Sequence, residues 1–143
     1  AHDPHREVRI RVAQRIEGPA LAAMRSDADY GVRELVARRL PEALLATLMH
    51  DPDRSVRMRV AQRLPMPTLL ALGDDEAPEV RRIVAERVPA ALLDRLADDP
   101  DWRVRWEAAR RGAPALAARL RHDPDPEVRN AAEQRLTEGA SHG

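Results

Sequence analysis

Arginine and aspartate supply most of the side chains in this sequence that could do chemistry. The chain has 143 residues and carries 24 basic against 24 acidic residues, and every one of the 24 basic residues is arginine. An Asp and two Arg recur at fixed distances from a Val-Arg dipeptide, each copy of which begins 24 residues after the last. The six dipeptides begin at Val8, Val32, Val56, Val80, Val104 and Val128.

The Asp five residues before each valine and the Arg directly after it define a candidate Asp/Arg ladder. On a helical wheel this Arg lies about 100° from the valine, which is beside the apolar stripe and not opposite it. We therefore expect these guanidinium groups to bond to carboxylates or carbonyls at the edge of a core. The predicted ladder residues are Asp27, Arg33, Asp51, Arg57, Asp75, Arg81, Asp99 and Arg105.

A different use of the same arginines is a stripe that binds the phosphates of a nucleic acid. The zero net charge argues against it, because binding of phosphates is favoured by an excess of cations. The low aromatic content of 2% also argues against it, because surfaces that bind nucleic acids stack the bases on aromatic rings. We prefer the packing role and keep the phosphate-binding solenoid as the alternative.

The positions two and three residues after each valine vary most, and on the wheel they point away from the apolar stripe. They either contact a partner or form a solvated face whose sequence varies without effect. Trp102 and Trp106 stand four residues apart, in the repeat where Gly112-Ala113 replaces Leu-Pro. They are either an aromatic anchor or bulk that fills the space beside the glycine. The candidate partner face is Ile10, Met58, Arg82, Trp102 and Trp106.

No group of residues has the spacing of a catalytic or metal site. The absence of cysteine excludes disulfides, a Cys-type zinc site and an iron–sulfur cluster held by this chain. His50 and His122 share a repeat column but would lie about 25–30 Å apart after stacking, too far to share a metal. The three serines have no recurring histidine beside them. We predict a protein that is not an enzyme, with no catalytic, cofactor or metal-binding residue in this chain.

Two helical elements must position these residues in each repeat. Apolar residues at the valine, four later and eight later form one stripe of an α-helix, and the Asp and Pro ahead of it predict its N-terminus, with the Asp as cap. A Pro then ends the helix in the central repeats. Paired leucines and a third one follow within about eight residues, enough for roughly two turns of α- or 3₁₀-helix.

A repeat of this size cannot bury its own apolar face, so neighbouring repeats must stack. The prediction is an all-α, right-handed superhelical solenoid of 24-residue repeats, each with one α-helix and one short 3₁₀ helix. A single repeat domain spans 1–143. Its repeats cover about 3–26, 27–50, 51–74, 75–98, 99–122 and 123–138, the last with a C-terminal cap.

The repeat resembles the leucine-rich repeat variant family. The resemblance rests on Asp-Pro-Asp-x-x-Val-Arg, then Val-Ala-x-Arg-Leu-Pro, then Leu-Leu and Leu, as in residues 51–72, and it extends from Asp3 to Leu136. It implies a 24-residue repeat of one α-helix and one 3₁₀ helix. The Asp-to-Arg spacing also looks like HEAT-type repeats, in which such a pair forms a ladder between neighbouring repeats.

The resemblance also implies a context. The best-known family member belongs to a nitrogen-fixing bacterium and carries a Cys-rich N-terminal module that binds a 4Fe-4S cluster. Because the first repeat here keeps its full apolar pattern, we expect the chain to be the C-terminal part of a longer protein. The expected function is a cytoplasmic scaffold for protein–protein interaction, with a protein partner of unknown identity. No apolar run approaches the ~20 residues of a membrane helix, so no membrane contact is expected.

Overall fold

A computed structural model describes the backbone of residues 4–142 and the side chains of residues 4–139. Every regular element in this range is helical, which confirms the all-α prediction. The α-helices are α1 (Pro4–Arg15), α2 (Gly18–Ala23), α3 (Tyr30–Arg39), α4 (Arg54–Arg63), α5 (Pro78–Arg87), α6 (Trp102–Arg111), α7 (Pro114–Leu120) and α8 (Pro126–His142). The 3₁₀ helices are Met24–Ser26, Glu42–Leu48, Thr68–Asp74 and Ala90–Leu96.

The N-terminal cap of the long helices is not the aspartate that the sequence analysis assigned. The cap stands two residues later, where the side chain of Asp29 accepts from the N–H groups of Gly31 and Val32, and Asp53 accepts from Ser55. The ladder aspartate forms the turn before it, since Asp51 accepts from the N–H of Asp53 at 2.9 Å. In α3 and α4 two acids therefore share the work assigned to one, and the carboxylate of Asp51 also accepts from an arginine.

The helix type of the short second element differs with the position of its proline. In the second and fourth repeats the proline precedes a 3₁₀ helix, with Pro41 before Glu42–Leu48 and Pro89 before Ala90–Leu96. In the first and fifth repeats the proline lies in the first turn of α2 and α7, and those elements are α-helical. Proline in the first turn has a φ suited to an α-helix and needs no N–H partner, which is compatible with the α-helical form of α2 and α7.

The apolar stripe of the long helices forms the core, as predicted. Residues Ala1–Leu69 form one compact unit, in which α3 packs between α1 and α4. Residues Leu70–Gly143 form a second, in which α6 packs against α5 and α8, and α7 against α8. The stripe valines with no exposed surface include Val32, Val36, Val56, Val60, Val80 and Val104.

The third position after the valine is less exposed in most repeats than predicted, although Arg11 of the first repeat is exposed. Ile83, Glu107 and Ala131 are buried. The neighbouring helix covers this side, because the Arg59 Nε donates to Glu34 of the preceding repeat at 2.8 Å. A single-helix wheel places these residues opposite the core, but a stacked helix has two covered sides.

No helix among residues 4–142 is both long and apolar enough to cross a lipid bilayer.

Candidate functional site

The ladder arginines join one repeat to the next. The Nε and Nη2 of Arg33 donate to the Asp51 carboxylate at 2.8 and 3.2 Å, while its Nη1 donates to the main-chain carbonyl of Asp27 at 2.8 Å. Arg33 therefore pairs with the aspartate 18 residues ahead and takes only a carbonyl from its own repeat. In the second compact unit Arg81 binds Asp99, and Arg105 binds Asp123, in the same way.

These pairs lie at the edge of the core and hold the guanidinium groups charged. The hydrogen bond from Arg33 to Asp51 raises the pKa of Arg33; burial opposes this, and the charges of nearby aspartates add to it. The same causes raise the pKa of Arg81 and Arg105. Arg57 is itself buried and donates to the Asp51 carbonyl at 2.8 Å. The N–H groups that could hold a phosphate are directed to protein acceptors.

The second arginine column, seven residues after each valine, points the other way along the chain. Arg39 donates to the carbonyls of Ala13 and Ile16 at the end of α1, the latter at 2.7 Å. Arg111 donates in the same way to Ala85 and Val88 at the end of α5. These carbonyls have no partner within their own helix, so the arginine caps the preceding repeat. Arg63 and Arg135 bind Ala37 and Gly112 in the same manner.

Arg6 and Asp29 form an additional ion pair between the first two repeats. The Arg6 Nε lies 2.6 Å from the Asp29 Oδ2, and the guanidinium also faces the Tyr30 ring. Burial raises the pKa of the Asp29 carboxyl, but the hydrogen bond from Arg6, the N–H groups of Gly31 and Val32 and the charge of Arg6 together lower it below its ordinary value. The ionised cap is thus the favoured form in the folded protein.

Asp29→Asn is expected to show a pH-dependent loss of stability. Because folding lowers the pKa of Asp29, the charge contributes stability at pH values above the ordinary carboxyl pKa of about 4, and this contribution is lost as the pH falls through the lowered value. Asparagine keeps the cap but cannot hold the charge. The difference in Tm between wild type and variant, measured from pH 7 to pH 2, should be largest at pH 7 and shrink at acid pH. Asp98→Asn, at an exposed carboxylate, controls for the loss of one charge, and a constant difference would contradict this account.

Two tryptophans form the most distinctive surface feature of the second compact unit. Trp102 and Trp106 of α6 line a depression of about 250 Å³ together with Arg82, Arg103 and Glu127. Both tryptophans are half-buried. The site is built from three successive repeats, because α6 supplies the tryptophans, α5 supplies Arg82 and α8 supplies Glu127.

Cationic side chains hold the two indoles in place. The guanidinium of Arg103 lies 4.9 Å from the Trp102 ring centroid, and that of Arg110 lies 5.2 Å from the Trp106 centroid. Arg110 is in turn held by the buried Glu107 at 2.8 Å. Contacts of a cation with an indole face are attractive, so the depression has apolar walls with cations beside them.

The tryptophans do not fill the space beside Gly112, which was one of the two explanations for them. A Cβ at Gly112 would lie 2.7 Å from the Leu116 Cδ2 and 2.5 Å from the Ala108 carbonyl oxygen. Leu116 of α7 takes that space, because the α-helical second element of this repeat turns its leucine toward the glycine. The indoles are left at the surface.

The depression gathers three of the five predicted partner-face residues. Arg82, Trp102 and Trp106 line it, whereas Ile10 and Met58 are half-buried side chains of α1 and α4 in the first compact unit. Glu127 and Arg110 were not among the residues predicted for this face. Glu127 stands directly before the valine of its repeat, the same position as Arg103, so the repeat frame could have placed it beside the tryptophans of the preceding repeat.

The described residues do not fit an inorganic cofactor. Within the part of the chain that the structure describes, no group of three or more His, Cys, Asp or Glu side chains could hold a metal ion. An iron–sulfur cluster needs thiolate ligands, and the sequence contains no cysteine. A cluster associated with this protein would have to be held by other residues.

The repeats are similar to known ones in sequence and in three dimensions. The family model of leucine rich repeat variant matches residues 30–53 and 78–101. A solved structure described as a leucine-rich repeat variant with a novel repetitive protein structural motif is 46% identical, with a TM-score of 0.88. The alignment covers 94% of this chain and 57% of that one, so this chain spans little more than half of the solved protein. A comparison with curated proteins gave no significant match. Residues 30–53 and 78–101 of this chain are therefore leucine-rich repeat variant repeats, and the fold of the chain is similar to that of a solved leucine-rich repeat variant.

Proposed function

We propose that this protein is a non-enzymatic scaffold that binds another protein through the tryptophan depression. The observation that carries the proposal is the clustering of Trp102, Trp106 and Arg82 from two repeats into one site. Tryptophan and arginine are the residues most enriched at the energetic centres of protein interfaces. The repeat frame explains most arginines of the two recurring columns by packing, but it gives no structural reason for two tryptophans here.

The geometry of the depression suggests what a partner must present. Its walls are indole faces, and its rim carries the charges of Arg82, Arg103 and Glu127. A partner that inserts an apolar side chain between the indoles would remove them from water, while polar groups around it meet the rim. A central apolar anchor with a mixed-charge surround is the ordinary composition of a protein interface, whereas a nucleic acid would meet an acid at Glu127.

The ladder geometry also argues against the phosphate-binding alternative. Arg33, Arg81 and Arg105 each direct three nitrogen donors to carboxylate and carbonyl oxygens of the protein. A phosphate would have to displace aspartates that are almost fully buried. The nucleic-acid reading is therefore kept as one outcome of the binding test.

The parent protein is proposed to combine these repeats with a module of another kind. The resemblance to the iron–sulfur family member suggests a cytoplasmic protein with a 4Fe-4S module and a link to nitrogen fixation. The solved relative is longer than the region matched here, which leaves room for such a module. Four clustered cysteines encoded upstream of Asp3, and a 4Fe-4S signal in the electron paramagnetic resonance spectrum of the reduced full-length protein, are the expected findings. Upstream sequence without cysteines would contradict this part of the proposal.

Trp106→Ala is expected to weaken partner binding at least tenfold, and by about 30-fold if Trp106 is a central anchor. The probe is a displayed library of random 16-residue peptides selected on the wild-type protein, with affinities of the selected peptides measured by fluorescence anisotropy. Arg38→Ala, at an exposed side chain of α3, is the control and should leave affinity unchanged.

Three outcomes decide between the candidate functions. Selected peptides that lose affinity with Trp106→Ala but not with Arg38→Ala support the scaffold proposal, provided that both variants melt like wild type. Peptides that bind both variants equally would place the binding site elsewhere. Binding of a 20-nucleotide single strand that falls steeply between about 50 and 200 mM salt would favour the phosphate-binding alternative.

A further inference from the structure

The two arginines at the rim of the tryptophan depression have hydrogen-bond donors to offer a ligand. The Arg82 guanidinium lies 3.5 Å from Glu86, and that of Arg103 lies 3.7 Å from Asp101; both distances exceed an ordinary hydrogen bond. The two arginine side chains are 47% and 52% exposed. The ladder arginines, by contrast, direct their donors to oxygens of the protein at distances of 2.7–3.2 Å.

The side chains that line the depression are rich in donors and poor in acceptors. A guanidinium donates through five N–H groups and accepts nothing, and the N–H of an indole only donates. Arg82, Arg103 and the two tryptophans are therefore donors, and the carboxylate of Glu127 is the acceptor among these lining residues. The complementary ligand is apolar, presents carbonyl oxygens and carries few N–H groups.

The charges around the depression do not favour an anionic ligand. Arg82 and Arg103 each face one acid, and Glu127 adds a third acid. Two arginines against three acids leave these five groups with a net charge of −1, so a carboxylate or a phosphate gains little attraction. Neutral carbonyl oxygens can accept from the same guanidinium groups without meeting that charge.

The indole walls limit the ligand further. Arg103 and Arg110 already lie 4.9 and 5.2 Å from the ring centroids of Trp102 and Trp106, so a cationic ligand at the rings would meet like charge. The depression measures about 250 Å³, which is below the ~300–1,000 Å³ of ordinary small-molecule pockets. It suits one or two side chains of a longer segment. The electron-rich face of an indole attracts the polarised C–H groups of a ring that is bonded to an amide nitrogen.

We propose that the depression binds a proline-rich segment of the partner in the polyproline II conformation, an inference that rests on the proposed scaffold function. Proline has no N–H and presents only its carbonyl, which matches a site of donors. A polyproline II helix makes no internal hydrogen bonds, so its carbonyls are free to accept from Arg82 and Arg103, whereas those of an α-helix are already paired. Because its conformation is preset, docking into an aromatic-lined groove costs little entropy.

Glu127 gives the bound segment a direction. The helix α6 contacts both α5 and α8, and the depression takes Arg82 from α5 and Glu127 from α8. A basic residue at one end of the segment pairs with Glu127, while at the other end it would meet the like charge of Arg82. The ligand is therefore a run of prolines with a basic residue at the end that lies beside α8.

Fluorescence anisotropy with two labelled peptides tests the proposal. The proline probe has eight consecutive prolines followed by one arginine, and the matched control has alanine at every proline. The proline probe should bind at least tenfold more tightly than the alanine peptide. Its affinity should change less than about threefold between about 50 and 200 mM salt, because most of its contacts are uncharged. A third peptide of alternating glutamate and leucine that binds more tightly than the proline probe would overturn the proposal.

Variants of the protein locate the binding of the proline probe. Trp106→Ala should weaken it at least tenfold and Arg82→Ala at least threefold, whereas Arg38→Ala in α3 should leave it unchanged. Arg82 is exposed, so its replacement tests the site without disturbing the core. Glu127→Gln should weaken the proline probe about threefold and leave a probe of prolines alone unchanged. Equal binding of the proline probe by wild type, Trp106→Ala and Arg82→Ala contradicts the proposal.

The peptides selected from the random library separate failure of this inference from failure of the scaffold proposal. Selected peptides that depend on Trp106 should contain runs of proline. If they depend on Trp106 but lack such runs, and the proline probe does not bind, the inference is wrong and the scaffold proposal stands. If none of them depends on Trp106 and the proline probe does not bind, both are wrong.

Discussion

Arg81→Ala is expected to lower the free energy of unfolding by about 2–4 kcal/mol. The side chains of Arg81 and Asp99 are only 12% and 5% exposed, and the Nε–Oδ2 distance is 2.7 Å. Removing the guanidinium leaves the Asp99 carboxylate nearly buried without its charge partner and takes a donor from the Asp75 carbonyl. Urea denaturation at pH 7 measures the loss.

The neighbouring Arg82 is the matched control for Arg81. Arg82 is 47% exposed and faces Glu86 at 3.5 Å, so Arg82→Ala should cost less than about 0.5 kcal/mol. Arg81→Lys should recover only part of the loss, because an ammonium cannot reach a carboxylate and a carbonyl with three fixed donors at once. Equal losses from Arg81→Ala and Arg82→Ala would show that the ladder does not hold the repeats together.

Gly112→Leu is expected to destabilise the fold by about 3 kcal/mol or more, although it restores the residue found at this position in the second and third repeats. A Cβ at Gly112 would lie 2.5 Å from the Ala108 carbonyl oxygen, which is main chain and cannot move alone. The remaining leucine atoms would enter space that Leu116 occupies. Thermal unfolding followed by circular dichroism measures the effect.

A paired substitution tests the reason for this loss. Leu116→Ala vacates the space beside Gly112 and should itself be destabilising, since Leu116 is buried. Combined with Gly112→Leu it should cost clearly less than the sum of the two single losses, because the new leucine can use part of the vacated volume. Additive losses would contradict the packing argument, and an unchanged Tm in Gly112→Leu would show that α7 can shift away freely.

The ladder and the glycine illustrate where sequence reasoning on this chain reaches its limit. The Asp and Arg columns, their helical placement and their role at the edge of a core all follow from a 24-residue period. A wheel drawn for one helix predicts that Arg33 needs an acceptor. It does not predict that the carboxylate comes from Asp51 of the next repeat while Asp27 offers only its carbonyl, since that depends on the rise and rotation between stacked repeats.

The N-terminal cap shows the same limit at short range. Asp27 and Asp29 are both suitable caps by residue type, and the predicted cap was Asp27, whose column recurs in every repeat. In the structure the N-cap is Asp29, whose φ and ψ are extended and not helical. The side chain of the recurrent Asp27 instead accepts from the N–H of Asp29 in the preceding turn. Recurrence within the repeat thus reflects the bond between repeats and not the cap.

The sequence by itself determined the repeat, its helical elements, the apolar stripe and the residue types at each column, because these depend on spacing along one chain. Tertiary structure decided which side chains meet. It brought Arg82, Trp102, Trp106 and Glu127 into one depression, which Ile10 and Met58 do not line. It also gave the space beside Gly112 to Leu116. These outcomes depend on how one repeat is rotated onto the next, a quantity that the packing of all their side chains sets together and that no local pattern encodes.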